Sequence, residues 1–403
     1  MSEFIKSSSR MAIQPRPHRL ATFQGILAAI SFSLLLAGTN ANTPLIPLYR
    51  ELLAFTPFTM SMTFVCYVSV LIVFLTALSR PSVVRWSPIL LSMGLAVAVL
   101  SDIAMASASE SGVLLGRAMA GVGVGLGTGS AAALVVAAFG ASGRALSATG
   151  NLVGAVAGTL FSETVVVFLG KTVAISWTFE AHAAVCFVLL VFIGITFYAM
   201  REENRSAFIQ VKGAVSQVRP ALLRNIFPLV IGSTGWIAIS LAITFFPSFL
   251  EEGGMEVVKS MGMIVLLTSC AFSQIYGRRI ATFAPSASGV EAMAAGVFLI
   301  LLGSSVSSEV AGLLGFGVLG AGIGVSYRLA LVMLTKGVSA RDHGALSSTY
   351  AGITYAAAAF SVAATGFAGN LFGLKATITA VLVMLIFAFL SMMRKAPRLR
   401  LDR

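Results

Sequence analysis

The sequence predicts an all-α membrane protein, with 12 transmembrane helices arranged as two pseudo-symmetric halves of six. Three observations carry that prediction. Of the 403 residues, 57% are hydrophobic and 10% charged. A soluble domain carries roughly 25% charged residues, so most of this surface must face lipid. Apolar runs of spanning length, about 20 residues, occur at 22–48, 58–79, 87–108, 112–138, 145–169 and 175–200. They resume at 225–250, 258–277, 281–306, 309–335, 344–372 and 374–393. The third observation is an internal repeat. GRAMAGVGVGLGTGS at 116–130 returns 199 residues on as GFGVLGAGIGVSYRL at 315–329. Gly116, Gly121, Gly123 and Gly125 are thereby matched by Gly315, Gly320, Gly322 and Gly324. Ser61-Met62 returns as Ser260-Met261, and Arg80 as Arg279; Pro47 and Glu51 return 200 residues on as Pro247 and Glu251. Ala145-Leu146-Ser147 also returns 200 residues on, as Ala345-Leu346-Ser347. Matches at nearly one offset indicate two homologous halves, a parallel repeat of the kind transporter folds carry.

In chain order, residues 1–21 form a basic tail containing Lys6, Arg10, Arg16 and Arg19. The tail and the run after it imitate a signal peptide. The run lacks a small-residue cleavage site and is long enough to span, which predicts an uncleaved first helix. Residues 22–200 then hold six spans, and 201–224 is a hydrophilic linker with Arg201, Glu202, Glu203, Arg205, Lys212, Arg219 and Arg224. Residues 225–393 hold the second six, and 394–403 is a second basic tail. With both termini inside, 21 of the 27 lysines and arginines fall on the inner side. The outer loops hold Arg50, Lys171, Lys259 and Lys375. That bias predicts a multi-pass membrane protein with both termini on the inner, cytoplasmic side. The formal charge of +12 is then a topology signal and not the footprint of a nucleic-acid partner.

Cys66, Cys186 and Cys270 all lie in apolar runs, so they imply neither a disulfide framework nor a metal-ligand spacing. His18 lies in the tail, His182 near an outer end and His343 in an inner loop, which predicts no metal or catalytic cluster. Gly315, Gly317 and Gly320 spell a G-x-G-x-x-G, but within an apolar span and without the strand a dinucleotide site requires. Asn204-Arg205-Ser206 matches a glycosylation acceptor on the inner side and is discarded.

On a helix, Gly121, Gly125 and Gly129 share one face, which allows close backbone approach in lipid. Charges inside spans are costly and mark functional candidates. Asp102 and Arg117 are equidistant from the turn at 108–111, so they lie at similar depth on adjacent helices, as a static ion pair or as a gate or proton relay. Glu163 and Glu180 flank the turn near Lys171 towards the outer face. Facing each other, they would make one acid a proton carrier; facing water or Lys171, they are helix-end charges. Arg328, beside Tyr327, either snorkels to the inner interface or faces an anionic substrate. Polar residues on the first span of each half, Thr39, Asn40 and Asn42, then Ser233, Thr234, Trp236 and Thr244, are ligand contacts or interhelical glue. Asn151, Gln274, Tyr350 and Tyr355 join them.

These features together resemble the major facilitator superfamily over essentially the whole chain. TPLIPLYREL (43–52) resembles the first-span exit of bacterial drug and sugar efflux members. Arg117 with its downstream glycines is similar to the fourth-helix arginine motif. GNLVGAVAG (150–158), with Gly150, Gly154 and Gly158, is similar to the fifth-helix glycine motif of antiporters but lacks its proline. Tyr327-Arg328 resembles a tenth-helix aromatic-arginine pair. The loop LSRPSVVRWSP (78–88) keeps Arg80 and Arg85 but has neither the aspartate nor the glycine usual there, so the usual inner-gate relay cannot operate in its standard form.

The resemblance implies a monomeric secondary transporter of the bacterial inner membrane, not an enzyme, that binds a small molecule at mid-membrane between its halves. Asn40, Asn42, Arg117, Trp236, Tyr327 and Arg328 are the substrate-binding candidates. Glu163, Asp102 and Glu180 are the proton-coupling candidates. Arg80, Arg85, Gly121, Gly125, Gly150, Gly154 and Gly158 serve gating and packing. No nucleotide-binding segment is present, so no cofactor is expected and a proton gradient is the implied energy source. Efflux of a drug or metabolite is the first reading; uptake of an organic anion, or a non-transporting sensor on the same fold, are the alternatives.

Overall fold

The computed structural model describes residues 19–78, 81–139, 141–200, 226–335 and 342–402; the linker at 201–224 lies outside them. The first span is broken in two. Helix α1 (Arg19–Ala41) leads through a 3₁₀ turn (Thr43–Leu45) into α2 (Ile46–Leu53). Pro44 and Pro47 supply no N–H, and each occupies the first turn of its short helix, where none is needed. The Tyr49 hydroxyl donates to Asn42 Oδ1 at 2.9 Å and braces the break.

The remaining N-terminal helices are α3 (Pro57–Ala77), α4 (Ser87–Ala106), α5 (Glu110–Phe139), α6 (Ala141–Leu169) and α7 (Lys171–Ala199). The second half comprises α8 (Phe227–Glu252), α9 (Glu256–Phe283), α10 (Gly289–Val306), α11 (Glu309–Thr335), α12 (Asp342–Phe372) and α13 (Leu374–Met392). Counting α1 and α2 as one crossing, 12 segments among the described residues are long and apolar enough to span a membrane. The chain is a multi-pass membrane protein. Helices α7 and α13 both start after a glycine of positive φ, Gly170 at 82° and Gly373 at 83°, the conformation only glycine adopts freely.

The repeat seen in the sequence is a repeat of contacts. Gly121 of α5 lies against the Tyr67 carbonyl of α3, and Gly320 of α11 against the Leu266 carbonyl of α9. Both members of the second pair lie 199 residues beyond the first. Gly116 rests on Ser101 and Met105, and Gly315 on Gly296 and Ile300, each 195 residues on. A Cβ at any of these glycines would overlap its neighbour, so the helices pack backbone to backbone. Gly125 seats against Phe74, while Gly154 and Gly158 of α6 press on the carbonyls of Ser33 and Ala37 in α1. Gly150 sits beside the Ser33 hydroxyl.

The halves meet through α3 with α12, α6 with α9, and α2 with α8. The seam is tightest at the face that the charge pattern assigns to the outside. There Arg50 pairs with Glu252, and the Phe58 N–H donates to Asn370 Oδ1 at 3.0 Å. Gly366 and Gly369 seat on Pro57. Lys171–Glu51 (2.7 Å) and Lys259–Glu251 (3.1 Å) fix matching acids within each half. Towards the opposite face, Gly129 of α5 and Gly352 of α12 have no atom of the described residues within 4 Å of a Cβ built there.

Candidate functional site

Arg117 organises the middle of the N-terminal half. It is 3% exposed, donates from Nε to the Thr63 carbonyl (2.8 Å) and from Nη1 to the Thr39 carbonyl (2.9 Å). It thereby ties α5 to α3 and α1. Its guanidinium carbon also lies 4.7 Å from the centroid of the Tyr67 ring, a cation–π contact that strengthens as water is excluded.

Across the seam stand three half-buried aromatic side chains of the other half. Trp236 of α8 meets Tyr355 of α12 edge-on at 4.6 Å and Tyr327 of α11 at 6.3 Å. Tyr327 in turn contacts the fully buried Tyr350 at 5.5 Å. Tyr355 packs against a core cluster built from N-terminal residues alone and lies beside Tyr67, so it interlocks the halves at the level of Arg117. Asn40 is also half-buried; its Nδ2 donates to the Leu36 carbonyl (2.8 Å) and to Thr39 Oγ1 (3.2 Å). Asn42 is occupied as the brace for Tyr49 and belongs to the helix break, not to this surface.

Asp102 does not pair with Arg117. The two residues share a depth, since Ser101 Oγ donates to the Gly116 carbonyl at 2.7 Å, but they project to different neighbours. Arg117 reaches α1 and α3. Asp102 turns to α7, where its Oδ2 lies 2.7 Å from His182 Nδ1. The other ring nitrogen, Nε2, lies 2.9 Å from the Leu34 carbonyl of α1. His182 is thus the functional candidate that the sequence reading set aside. Ser176 bonds the carbonyl of Ala106 at the end of α4, so α7 begins beyond the end of α4. His182 consequently reaches the level of Asp102, not the outer rim.

No protein-family model matches the chain, and no curated protein matches it in sequence. Solved structures do match over nearly its whole length. A bacterial homologue of the human lysosomal transporter Spinster, in an inward-facing unoccupied conformation, superposes with a TM-score of 0.72 at 12% identity, over 94% of this chain and 98% of that one. A D-xylose–proton symporter gives 0.70 at 11% identity over 94% and 99%. A variant of the nucleoside transporter NupG gives 0.69 at 11% over 92% and 99%. The chain has the major-facilitator fold.

Within the major-facilitator fold the other candidates separate clearly. Glu163 and Glu180 do not face each other. Glu163 crosses the seam to α9, beside Ser260 and Lys259, whereas Glu180 is exposed on α7. Arg328 donates Nη1 to the Gln274 carbonyl of α9 at 2.5 Å. Arg85 stacks on Trp86 at 5.4 Å in a 3₁₀ turn (Pro81–Trp86), and Arg80 lies outside the described residues. Among the described residues one cluster has the donor types of a metal site, with ligand atoms of Asp102, His182 and Cys186 within 4.8 Å. The cysteine sulfur, however, is equidistant from both ring nitrogens at 3.8 Å. It therefore lies off the axis of either lone pair, and the arrangement does not fit a coordinated ion.

Proposed function

We propose that the chain is a secondary transporter that exports a small, ring-bearing, uncharged or amphipathic compound in exchange for protons. The observation that carries this reading is the pair of surfaces opposed at mid-seam: Tyr67 and Arg117 on one half, Trp236, Tyr327 and Tyr355 on the other. Aromatic faces with hydroxyl and indole N–H edges bind planar or sugar-like rings through stacking and a few directional hydrogen bonds. The seam is fastened at one face and opens at the other, which supports alternating access about this level. The neighbours of like fold whose names state a solute, the nucleoside transporter and the xylose symporter, act on ring compounds.

An anionic substrate is the weaker reading. Arg117 and Arg328 both direct guanidinium N–H groups to backbone carbonyls, where a carboxylate site would aim them at the ligand. Glu163, across the seam from Lys259, is assigned to the outer gate, where its charge state acts on closure.

The test is flux in proteoliposomes under an imposed pH gradient, with compounds first selected by thermal shift, since a ligand of the folded state raises its stability. Neutral ring compounds should stabilise the protein and be moved against their gradient by the proton gradient, and Trp236→Ala should weaken both effects. Stabilisation by organic anions alone, lost in Arg328→Ala, would replace this reading with anion uptake.

A further inference from the structure

The N-terminal half encloses an acid–base pair that the aromatic surface does not use. Asp102 is 3% and His182 6% exposed, and the His182 ring presses flat space at Gly38, where any Cβ would overlap it. That glycine lets the ring reach the backbone of α1. A carbonyl oxygen only accepts, so His182 Nε2 must carry the hydrogen it shares with Leu34. The pair then holds one further proton, in the Nδ1–Oδ2 contact, donated either by an imidazolium or by a carboxylic acid. Removing that proton leaves the ring one hydrogen, so a nitrogen lone pair then faces either the Asp102 carboxylate at 2.7 Å or, after the ring exchanges tautomers, the Leu34 carbonyl at 2.9 Å. Two acceptors cannot remain so close in a buried site. The charged carboxylate is the stronger acceptor and keeps that hydrogen, so the contact with the Leu34 carbonyl opens and the ring's hold on α1 is lost.

We propose that this pair is the coupling-proton site of the transporter proposed above, and that its proton locks α1. The same stretch of α1 is held at Thr39 by Arg117, five residues beyond Leu34. Proton binding and the substrate surface therefore act on adjoining turns of one helix. The pair borders a void with room for about one water molecule, lined also by Thr39, Ser101 and Met105. Two fully buried hydroxyls have no hydrogen-bond partner among the described residues, Thr178 one turn before His182 on α7 and Ser31 about one turn before Leu34 on α1. Because α1 and α7 run antiparallel, these hydroxyls lie on opposite sides of the pair, as a relay to either face requires.

Apart from Cys186, the other groups on the surrounding helices are committed elsewhere. Cys186, on the same helix, lies against the His182 ring. Helix α1 brings no titratable side chain to the pair. Arg117 of α5 addresses Thr39 and Thr63, Glu163 of α6 faces α9, and Arg50 and Glu51 of α2 pair with Glu252 and Lys171.

The chain has 3 histidines, so nitrogen NMR of imidazole-labelled full-length protein in lipid can follow His182, assigned with His182→Gln. A second readout is maleimide labelling of Gly129→Cys, at the open end of the seam. In the otherwise unaltered protein, both should change together in one single-proton step as the pH is raised, with labelling differing by about tenfold across it. Asp102→Asn donates permanently to Nδ1 and should hold labelling at its low-pH value throughout. A His182 signal that never changes, or labelling in Asp102→Asn that follows pH as before, overturns the proposal. Should Asp102→Asn fail to fold, the spectra of the unsubstituted protein and Gly38→Ala, which displaces the ring, still decide it.

The inference rests on the transport reading, but the two fail separately. Absent flux with an intact proton response sinks transport alone. PH-driven flux unchanged in Asp102→Asn sinks the proton site alone.

Discussion

The two halves share a skeleton and differ in what they bury. Gly121 on Tyr67 and Gly320 on Leu266 are the same contact made twice. Where the N-terminal half carries Arg117, the C-terminal half carries Phe316, 199 residues on. Asp102 is answered by Val297 at the 195-residue offset of α4 and α10. His182 is answered by Leu385 when α7 and α13 are aligned on Gly170 and Gly373. All six of these side chains are buried. Duplication preserved the positions where backbones touch, because a Cβ there moves a whole helix. It left free the positions where side chains point into the half, and there one copy is ionic while the other is dry. The C-terminal half offers its aromatic surface instead, and its in-span cation, Arg328, stands where the first half has the open Gly129.

The most forceful way to break this comparison is to place the acid in the dry half. Val297→Asp buries a carboxyl without a base and should destabilise the protein by about 3–5 kcal/mol, read by unfolding in detergent. Adding Leu385→His should recover part of that loss. A cost near zero would show that the second half is not dry. Next, Arg117→Ala leaves the Thr39 and Thr63 carbonyls without their charged donor, costs about 3 kcal/mol, and should abolish flux. Arg117→Lys should not restore flux, because a point charge cannot serve two carbonyls on different helices. Gly121→Ala and Gly320→Ala sharpen the shared side of the comparison. Each should cost about 1–3 kcal/mol by overpacking, and clearly unequal costs would show that the halves are not mechanically equivalent. Smallest is Arg328→Ala, which removes a hydrogen bond of about 1 kcal/mol and should leave the affinity for a neutral substrate unchanged in a thermal-shift titration.

The fold was legible because its signals are periodic: apolar runs of spanning length, and glycines at a constant offset. Depth was legible too, since Asp102 and Arg117 do lie level. Direction around the helix was not. Both helices are apolar on every side, so nothing in the pattern says which neighbour a side chain meets. His182 was misplaced for a related reason: counting residues from the start of α7 fails when that helix begins beyond the end of α4. The distance between Asn42 and its partner Tyr49 is short in sequence, yet the brace depends on the turn made by Pro44. Tyr67 carried no signal at all, because its role appears only when Arg117 settles over its ring.

The clasp between Arg50 and Glu252 has a consequence of its own. Its side chains are 37% and 30% exposed, and it joins the halves at the rim. Mobile ions screen such a pair over about 8 Å at physiological strength, and its worth is under about 1 kcal/mol. Closure at that rim therefore loosens slightly as the surrounding electrolyte grows more concentrated. Asp102 and His182, enclosed by helices, escape this screening. The molecule accordingly has two separate sensitivities, one at its edge to salinity and one in its interior to acidity.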